Sequence, residues 1–507
     1  MPPLRLAAAI FVIVLCVYVT TTGGSYATDL ASYEVTKNLV QHGSFAMSHN
    51  VLDTEAERGV DGRYYAPVGV GHPVFGVPFY LMSKLVQSAL PIQVGKPESI
   101  DKAAVVVGST IAAALCAPVV FLFAWRLTRG VPGALFATFG LAFGTVLWPY
   151  SKFGFNAPLA TACLLWSTYW TWRGVREGQR HLLVLGGTML GCALLTRHEM
   201  AIGAVPLLAW IAFESRGSAS NVFRRLATFG VPVTIAVTIW MSYNFARFGN
   251  PLDTGLLRDP NVRFDTPFLV GMQGLLASPG RSLFLYSPLT LAGAAGLFVL
   301  ARRDRASAWL FGGMGIVFVL LISRMHQWDG GESYGPRYLV PAIPFLMIPL
   351  AAYFPLRSHQ SLRVLLPMVF ALSVTLQLPG VLVDYSKIQN DYARRTDGYS
   401  IEMSRYLWSA TPLVLNTKAS LTAVPVNLRY VFGSEPVPAV EVTGDATRRD
   451  FSQQFAFSLD FWWLYLFYLG AVPASLSVLL GLLPLLVASW MAMRVRAALR
   501  TTEGVAV

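Results

Sequence analysis

"APVGVGHPVFGVPFYLMSKLVQSAL", residues 66–90, is long and apolar enough to be a membrane helix, and its reading decides the topology of everything after it. Its Pro67, Pro73 and Pro78, with His72 and Lys84, suit a helix lying along a membrane surface better than one that crosses. Counted as a crossing, it would put Arg126 and Arg129 outside and invert the arginine clusters that follow, against the preference of positive residues for the cytoplasmic side. It is therefore read as the membrane-hugging part of one large external loop, 23–101.

Working outward, the same charge rule closes on twelve crossings with both termini cytoplasmic: 6–22, 102–125, 131–149, 157–173, 182–197, 199–215, 226–246, 284–301, 307–324, 338–356, 364–382 and 461–491. The chain has 507 residues, of which 54% are hydrophobic and 13% charged. Soluble domains carry roughly 25% charged residues, so the expectation is an all-α polytopic membrane protein. The first span has Arg5 ahead of it and a small-residue "SYA" after it, as a signal peptide has, but its length and place in the topology favour an uncleaved span. The polar stretch 383–460 is expected outside, as a small cap.

A net charge of +12 raises nucleic acid as a partner, but the Lys and Arg residues are dispersed between apolar runs with no basic stripe, which excludes that class. The four cysteines, Cys16, Cys116, Cys163 and Cys192, all sit in apolar runs without a CxxC pair, so neither a disulfide framework nor a zinc site is expected. No internal repeat is evident, and a transporter with inverted halves finds no support.

Nearly all residues fit for acid, base or phosphate work fall on the external side. They are Asp29, Glu34, Asp53, Glu55, His72 and Lys84 in the first loop; Arg197, His198 and Glu199 at a hairpin tip; and Arg281, His326, Asp329, Glu332 and Arg337 beyond. Asp29 follows the first span and stands where it either caps a helix or, kept ionised by that helix N-terminus, acts as a general base. In "RMHQWDGGESYGPRYLVP", 324–341, Arg337 follows Pro336 at what reads as a helix start, a seat for a phosphate. Arg281 and Arg197 are the next candidates for that role. Trp328 and Tyr334 in the same loop are either belt aromatics or rings that stack on a sugar.

An Asp after the first span, a segment ending in "HGSF" and then "DGRYYAPVGVGHPVFGVPFYLMSKL" resemble the first external loop of the GT-C superfamily, the polyprenyl-phosphate-sugar-dependent glycosyltransferases. That superfamily includes protein mannosyltransferases and aminoarabinose transferases. "YNFARFGNPLDTG" (243–255), "SPGRSLFLYSP" (278–288) and "WDGGESYGPRYLVPAIP" (328–344) resemble its bacterial branch, and the likeness covers most of 6–356. It implies a core of seven spans, here with about five more, and two surface helices in the first loop. It also implies Asp29 as the base that activates an acceptor hydroxyl, and a lipid-linked sugar donor whose phosphate would meet Arg337, Arg281 and Arg197. Glu55, His72, Lys84, His198, Glu199, His326, Trp328, Glu332 and Tyr334 are expected around the substrate pocket. The chain has Asp29-Leu30 where protein mannosyltransferases have Asp-Glu, and Gly71-His72-Pro73 where they have Lys-Pro-Pro, which leaves a glycan, lipid or protein acceptor open.

The donor set would also suit a divalent cation, but no HExxH or DxD spacing assigns one, so the cofactor stays unknown. The rival reading is a transporter or flippase for a lipid-linked sugar. It would favour ionisable residues at mid-span, which the expected spans nearly lack.

Overall fold

The structure is a computed structural model that describes residues 2–23, 30–47, 56–89, 98–258, 262–356, 360–437 and 458–503. Apart from one two-stranded hairpin, its described residues form helices and the turns between them. Seven described helices are long and apolar enough to cross a membrane: Pro3–Thr20, Glu98–Thr128, Ala219–Phe248, Arg305–Ile322, Arg337–Phe354, Gln360–Leu382 and Ala474–Leu499. Val131–Gly144, Arg180–Thr196, Phe268–Ala277 and Leu289–Ala301 are shorter apolar helices. The chain is a multi-pass helical membrane protein.

Proline explains where the expected spans break. The expected span 338–356 is a 3₁₀ helix at Arg337–Ala342, an α-helix at Ile343–Met347 and a second 3₁₀ helix at Ile348–Leu356. Pro341, Pro344, Pro349 and Pro355 each remove a backbone donor along it. The expected span 284–301 splits around Ser287-Pro288 into Leu283–Tyr286 and Leu289–Ala301. The expected span 199–215 opens as the 3₁₀ helix His198–Gly203 before Ala204–Glu214.

Helix Arg180–Thr196 is the hub of the first half, packed between Ala157–Arg176 and Ala219–Phe248. Its Gly186, Gly187 and Gly191 make this possible. A Cβ at Gly187 would strike the carbonyl of Phe229, and one at Gly186 would strike Thr171. Small residues let backbones approach where lipid supplies no hydrophobic drive between helices.

At one end of the bundle the arginine clusters meet. Arg126 and Arg173 pair with Glu177 (2.7 and 2.8 Å), and Arg176 grips Asp304 with both terminal nitrogens (2.6 and 2.8 Å) while stacking on Trp172. The charge rule placed these clusters on a common side, and the fold gathers them there.

The first loop lies over the other end. Its helices Leu30–His42 and Gly71–Ala89 pack on each other, and the second packs on Glu98–Ala114 and Arg180–Thr196. Within the stretch 66–90 the helix is Gly71–Ala89, which carries Pro78 inside it. The hairpin Glu57–Arg58/Tyr64–Tyr65 docks on the end of Ala219–Phe248. There the buried Arg247 donates to Ala66 O (2.7 Å) and lies against the Tyr243 ring, while Val60 N donates to Arg247 O.

Candidate functional site

The site is built around a turn, Ser151–Asn156, between Leu147–Tyr150 and Ala157–Arg176. At its start, Lys152 O accepts from Gly23 N (3.2 Å), where the chain leaves the first helix. At its finish, Phe155 lies under the Arg337 guanidinium, 4.4 Å from ring centroid to Cζ, and Asn156 Oδ1 accepts from Arg197 Nη1 (3.4 Å). One short segment therefore spans the distance from the exit of the first helix to two cations. Its aromatic rings explain its fixed shape: Phe153 packs edge-on to Phe155 and Tyr385, and Tyr150 packs against Phe155.

Arg197 ends helix Arg180–Thr196 in extended backbone, pairs with Glu199, and faces Tyr338. Arg337, half-buried, opens the 3₁₀ helix Arg337–Ala342 with Pro336 as its N-cap residue rather than inside its first turn. Of the sequence-derived phosphate candidates, these two come together. Arg281 lies against the 329–331 turn, whose Gly330 abuts the Arg337 side chain; fully buried, it donates to Asp329 O (3.1 Å), Gly280 O (2.8 Å), Gly331 O (2.7 Å) and Ser404 Oγ (3.3 Å). Its guanidinium is engaged by the protein and holds the 329–331 turn, where Gly330 and Gly331 adopt positive φ (77° and 66°). Asp329 is buried and accepts from Arg405 (2.9 Å).

The first loop reaches the cations through Gly69 and Gly71. A side chain at Gly69 would overlap the Leu195 and Thr196 carbonyls, and one at Gly71 would come within 2.7 Å of Thr196 Oγ1. This close contact brings the start of Gly71–Ala89 against the end of the helix that leads into Arg197. His72, next in line, is buried and shares a hydrogen bond with Ser109 Oγ (3.2 Å). Lys84 pairs with Asp101 (2.7 Å), which also accepts from Ser83 and Gln87. Nearby, burial lifts the Glu34 carboxyl above its usual range despite the opposing charge of Lys37.

The remaining candidates are dispersed. His198 Nδ1 accepts from Trp240 Nε1 (2.9 Å). His326 meets Asp265 (2.9 Å) in an exposed contact whose hydrogen bond holds the Asp265 carboxyl below its usual range. Glu332 is exposed. Trp328 and Tyr334, expected as sugar-stacking rings, are core side chains instead: Trp328 packs on Gly274, and Tyr334 packs on Gly380 and Tyr286 with its hydroxyl on Leu376 O (2.5 Å). Their faces are covered by protein. Asp29 and Glu55 lie outside the described residues. Among the described residues, no group of three or more His, Cys, Asp or Glu side chains gathers as a metal ion requires.

Sequence reading missed Lys152, which is fully buried and paired with the equally buried Asp460 (3.0 Å). A lysine in "WPYSKFGFN" between two apolar helices was the available signal.

The helical topology, with a packed first loop over one end and cations beneath it, is shared with a solved membrane protein. Among solved structures, ArnT from Cupriavidus metallidurans in the apo state matches over 92% of this chain and 77% of its own, with a TM-score of 0.51 at 16% identity. ArnT from the same organism bound to undecaprenyl phosphate covers the same shares at 16% identity, with a TM-score of 0.48. No family model matches the chain, and neither does any curated protein.

Proposed function

We propose that the chain is an inverting membrane glycosyltransferase that moves a sugar from a polyprenyl-phosphate donor to an acceptor hydroxyl at the external face of the plasma (inner) membrane, with both termini cytoplasmic. The observation that carries this reading is the convergence of Arg337 and Arg197 on Tyr338 and on the adjacent Phe155 and Asn156. The same turn binds Gly23, the last described residue before the segment that holds Asp29. Asp29 takes the acceptor proton, the acceptor oxygen attacks the anomeric carbon, and the bond from that carbon to the phosphate oxygen breaks. The departing phosphodiester becomes a monoester and gains negative charge, which two fixed guanidinium groups stabilise. Arg281 supports the neighbouring loop in this scheme rather than meeting the phosphate.

Transport is the weaker reading. In the seven candidate spans the ionisable residues stand near the helix ends, whereas a carrier of charged substrates places them at mid-depth.

The test is reconstituted protein given undecaprenyl-phosphate-linked sugars, with release of free undecaprenyl phosphate as the readout. Asp29→Asn should abolish release and leave donor binding intact; full activity in that variant sinks the mechanism.

A further inference from the structure

The site reading leaves unused the Lys152–Asp460 pair, in which Lys152 is 0% and Asp460 1% exposed. Burying two charges opposes folding unless geometry and further hydrogen bonds compensate, and a pair of this kind is best attested as a device that fixes register. Here Lys152 Nζ has a further acceptor, and backbone bonds beside the pair join four parts of the chain. Lys152 Nζ also donates to Val383 O (3.1 Å), 231 residues away in sequence. Asp460 N donates to Leu382 O (2.8 Å), Trp462 N donates to Thr22 O (3.0 Å), and Gly23 N donates to Lys152 O (3.2 Å).

The indoles complete the junction. Trp462 Nε1 donates to Val19 O (2.8 Å) and Trp463 Nε1 to Thr20 O (3.0 Å), two carbonyls of the kind a helix C-terminus leaves without partners. The exit of the first helix, the 152–156 turn, the end of Gln360–Leu382 and the segment entering the last helix are thus locked at one point. Three and four residues along from Lys152 are Phe155 and Asn156, on which Arg337 and Arg197 rest.

We propose that Lys152 and Asp460 form a positioning pair that fixes the seat of the donor phosphate by holding the 152–156 turn. The pair touches no substrate and acts through Phe155 and Asn156. The inference rests on the function proposed above and deepens it.

The experiment compares binding of undecaprenyl phosphate with that of uncharged undecaprenol to the full-length protein in detergent. The seat should make the wild type prefer the phosphate. Lys152→Met/Asp460→Leu, which replaces the pair by apolar side chains of similar volume, should lower that preference at least fivefold and leave undecaprenol affinity within twofold. A merely structural loss would weaken both lipids equally. Lys152→Arg, which keeps the charge and the donors, should keep most of the preference.

If the apolar double variant does not fold, Trp462→Phe/Trp463→Phe decides. It removes only two N–H groups at the same junction and should lower the preference at least twofold. A folded variant with wild-type preference overturns the proposal. The failures separate: if Arg337→Ala loses the preference while both junction variants keep it, the pair alone is refuted. If the wild type shows no preference, the donor reading falls and takes the pair with it.

Discussion

Arg197 and Arg337 address the same ring: their guanidinium carbons lie 5.4 and 5.8 Å from the centroid of Tyr338. Both bring positive charge to one ring, and Glu199 pairs with Arg197. The pair gives this ring a capacity to hold an anion.

That capacity can be measured. Arg337→Ala should weaken undecaprenyl phosphate binding by roughly tenfold or more, the worth of a charge-assisted hydrogen bond, and Arg197→Ala should act in the same direction. Because the two share a ring and a turn, the double variant should fall short of the summed effects by about 0.5 kcal/mol or more. Strict additivity in binding titrations would mean that they serve separate sites. Tyr338→Phe keeps the ring and should be silent, whereas Tyr338→Ala should weaken the lipid's hold.

Arg281 yields a stability prediction rather than a binding one. Arg281→Met leaves two buried and one part-buried backbone carbonyl without their donor, a loss on the order of 3 kcal/mol. Thermal unfolding in detergent should show it as a drop of several degrees. Undecaprenyl phosphate affinity of the protein that remains folded should stay within a few-fold of wild type, and a selective loss of phosphate binding would return Arg281 to the site.

The contact of the first loop with the helix end at Thr196-Arg197 depends on absent side chains. Gly71→Ala places a methyl group 2.7 Å from Thr196 Oγ1 and 2.8 Å from Thr196 N. Overpacking of this kind costs about 1–3 kcal/mol. It should speed proteolysis within the first loop and reduce transfer, while Gly43→Ala, whose space is open, should affect the loop only through its positive φ of 61°. Equal behaviour of the two variants would contradict the close contact.

The pH response of the His326–Asp265 contact follows from its sign. Hydrogen bonding from His326 lowers the folded-state pKa of Asp265, so its contribution is present above the unfolded value of about 4 and is lost as pH falls through the lowered one. Protection of the His326 amide, whose N–H donates to Arg263 O (2.6 Å), taken relative to the intrinsic exchange rate at each pH, should fall on acidification through that window. Asp265→Asn should flatten the response.

The spans were legible because the bilayer imposes length and apolarity. The reading of 66–90 rested on the arginine clusters that follow it and on its prolines, His72 and Lys84, and the fold places the helix Gly71–Ala89 with Pro78 inside it there. Arg337 was found from a Pro-Arg step at a helix start, a local signal. Lys152 was not, since its meaning comes from Asp460, far along the chain and inside a stretch that reads as a polar connector. Trp328 and Tyr334 show the reverse failing: polar neighbours in sequence suggested exposed rings, while Gly274 and Gly380, which make room for them, stand on other helices. Partners brought together only by the fold leave no local pattern.

The tryptophans that bind the carbonyls of the first helix lie just before the last one, and those two helices pack along each other. During synthesis the first helix enters the membrane long before its partner exists. Its C-terminal end, and the turn bonded to it, therefore take their final form only after that later helix has been inserted. A ribosome that stops short releases a chain with most of its helices and this junction unmade.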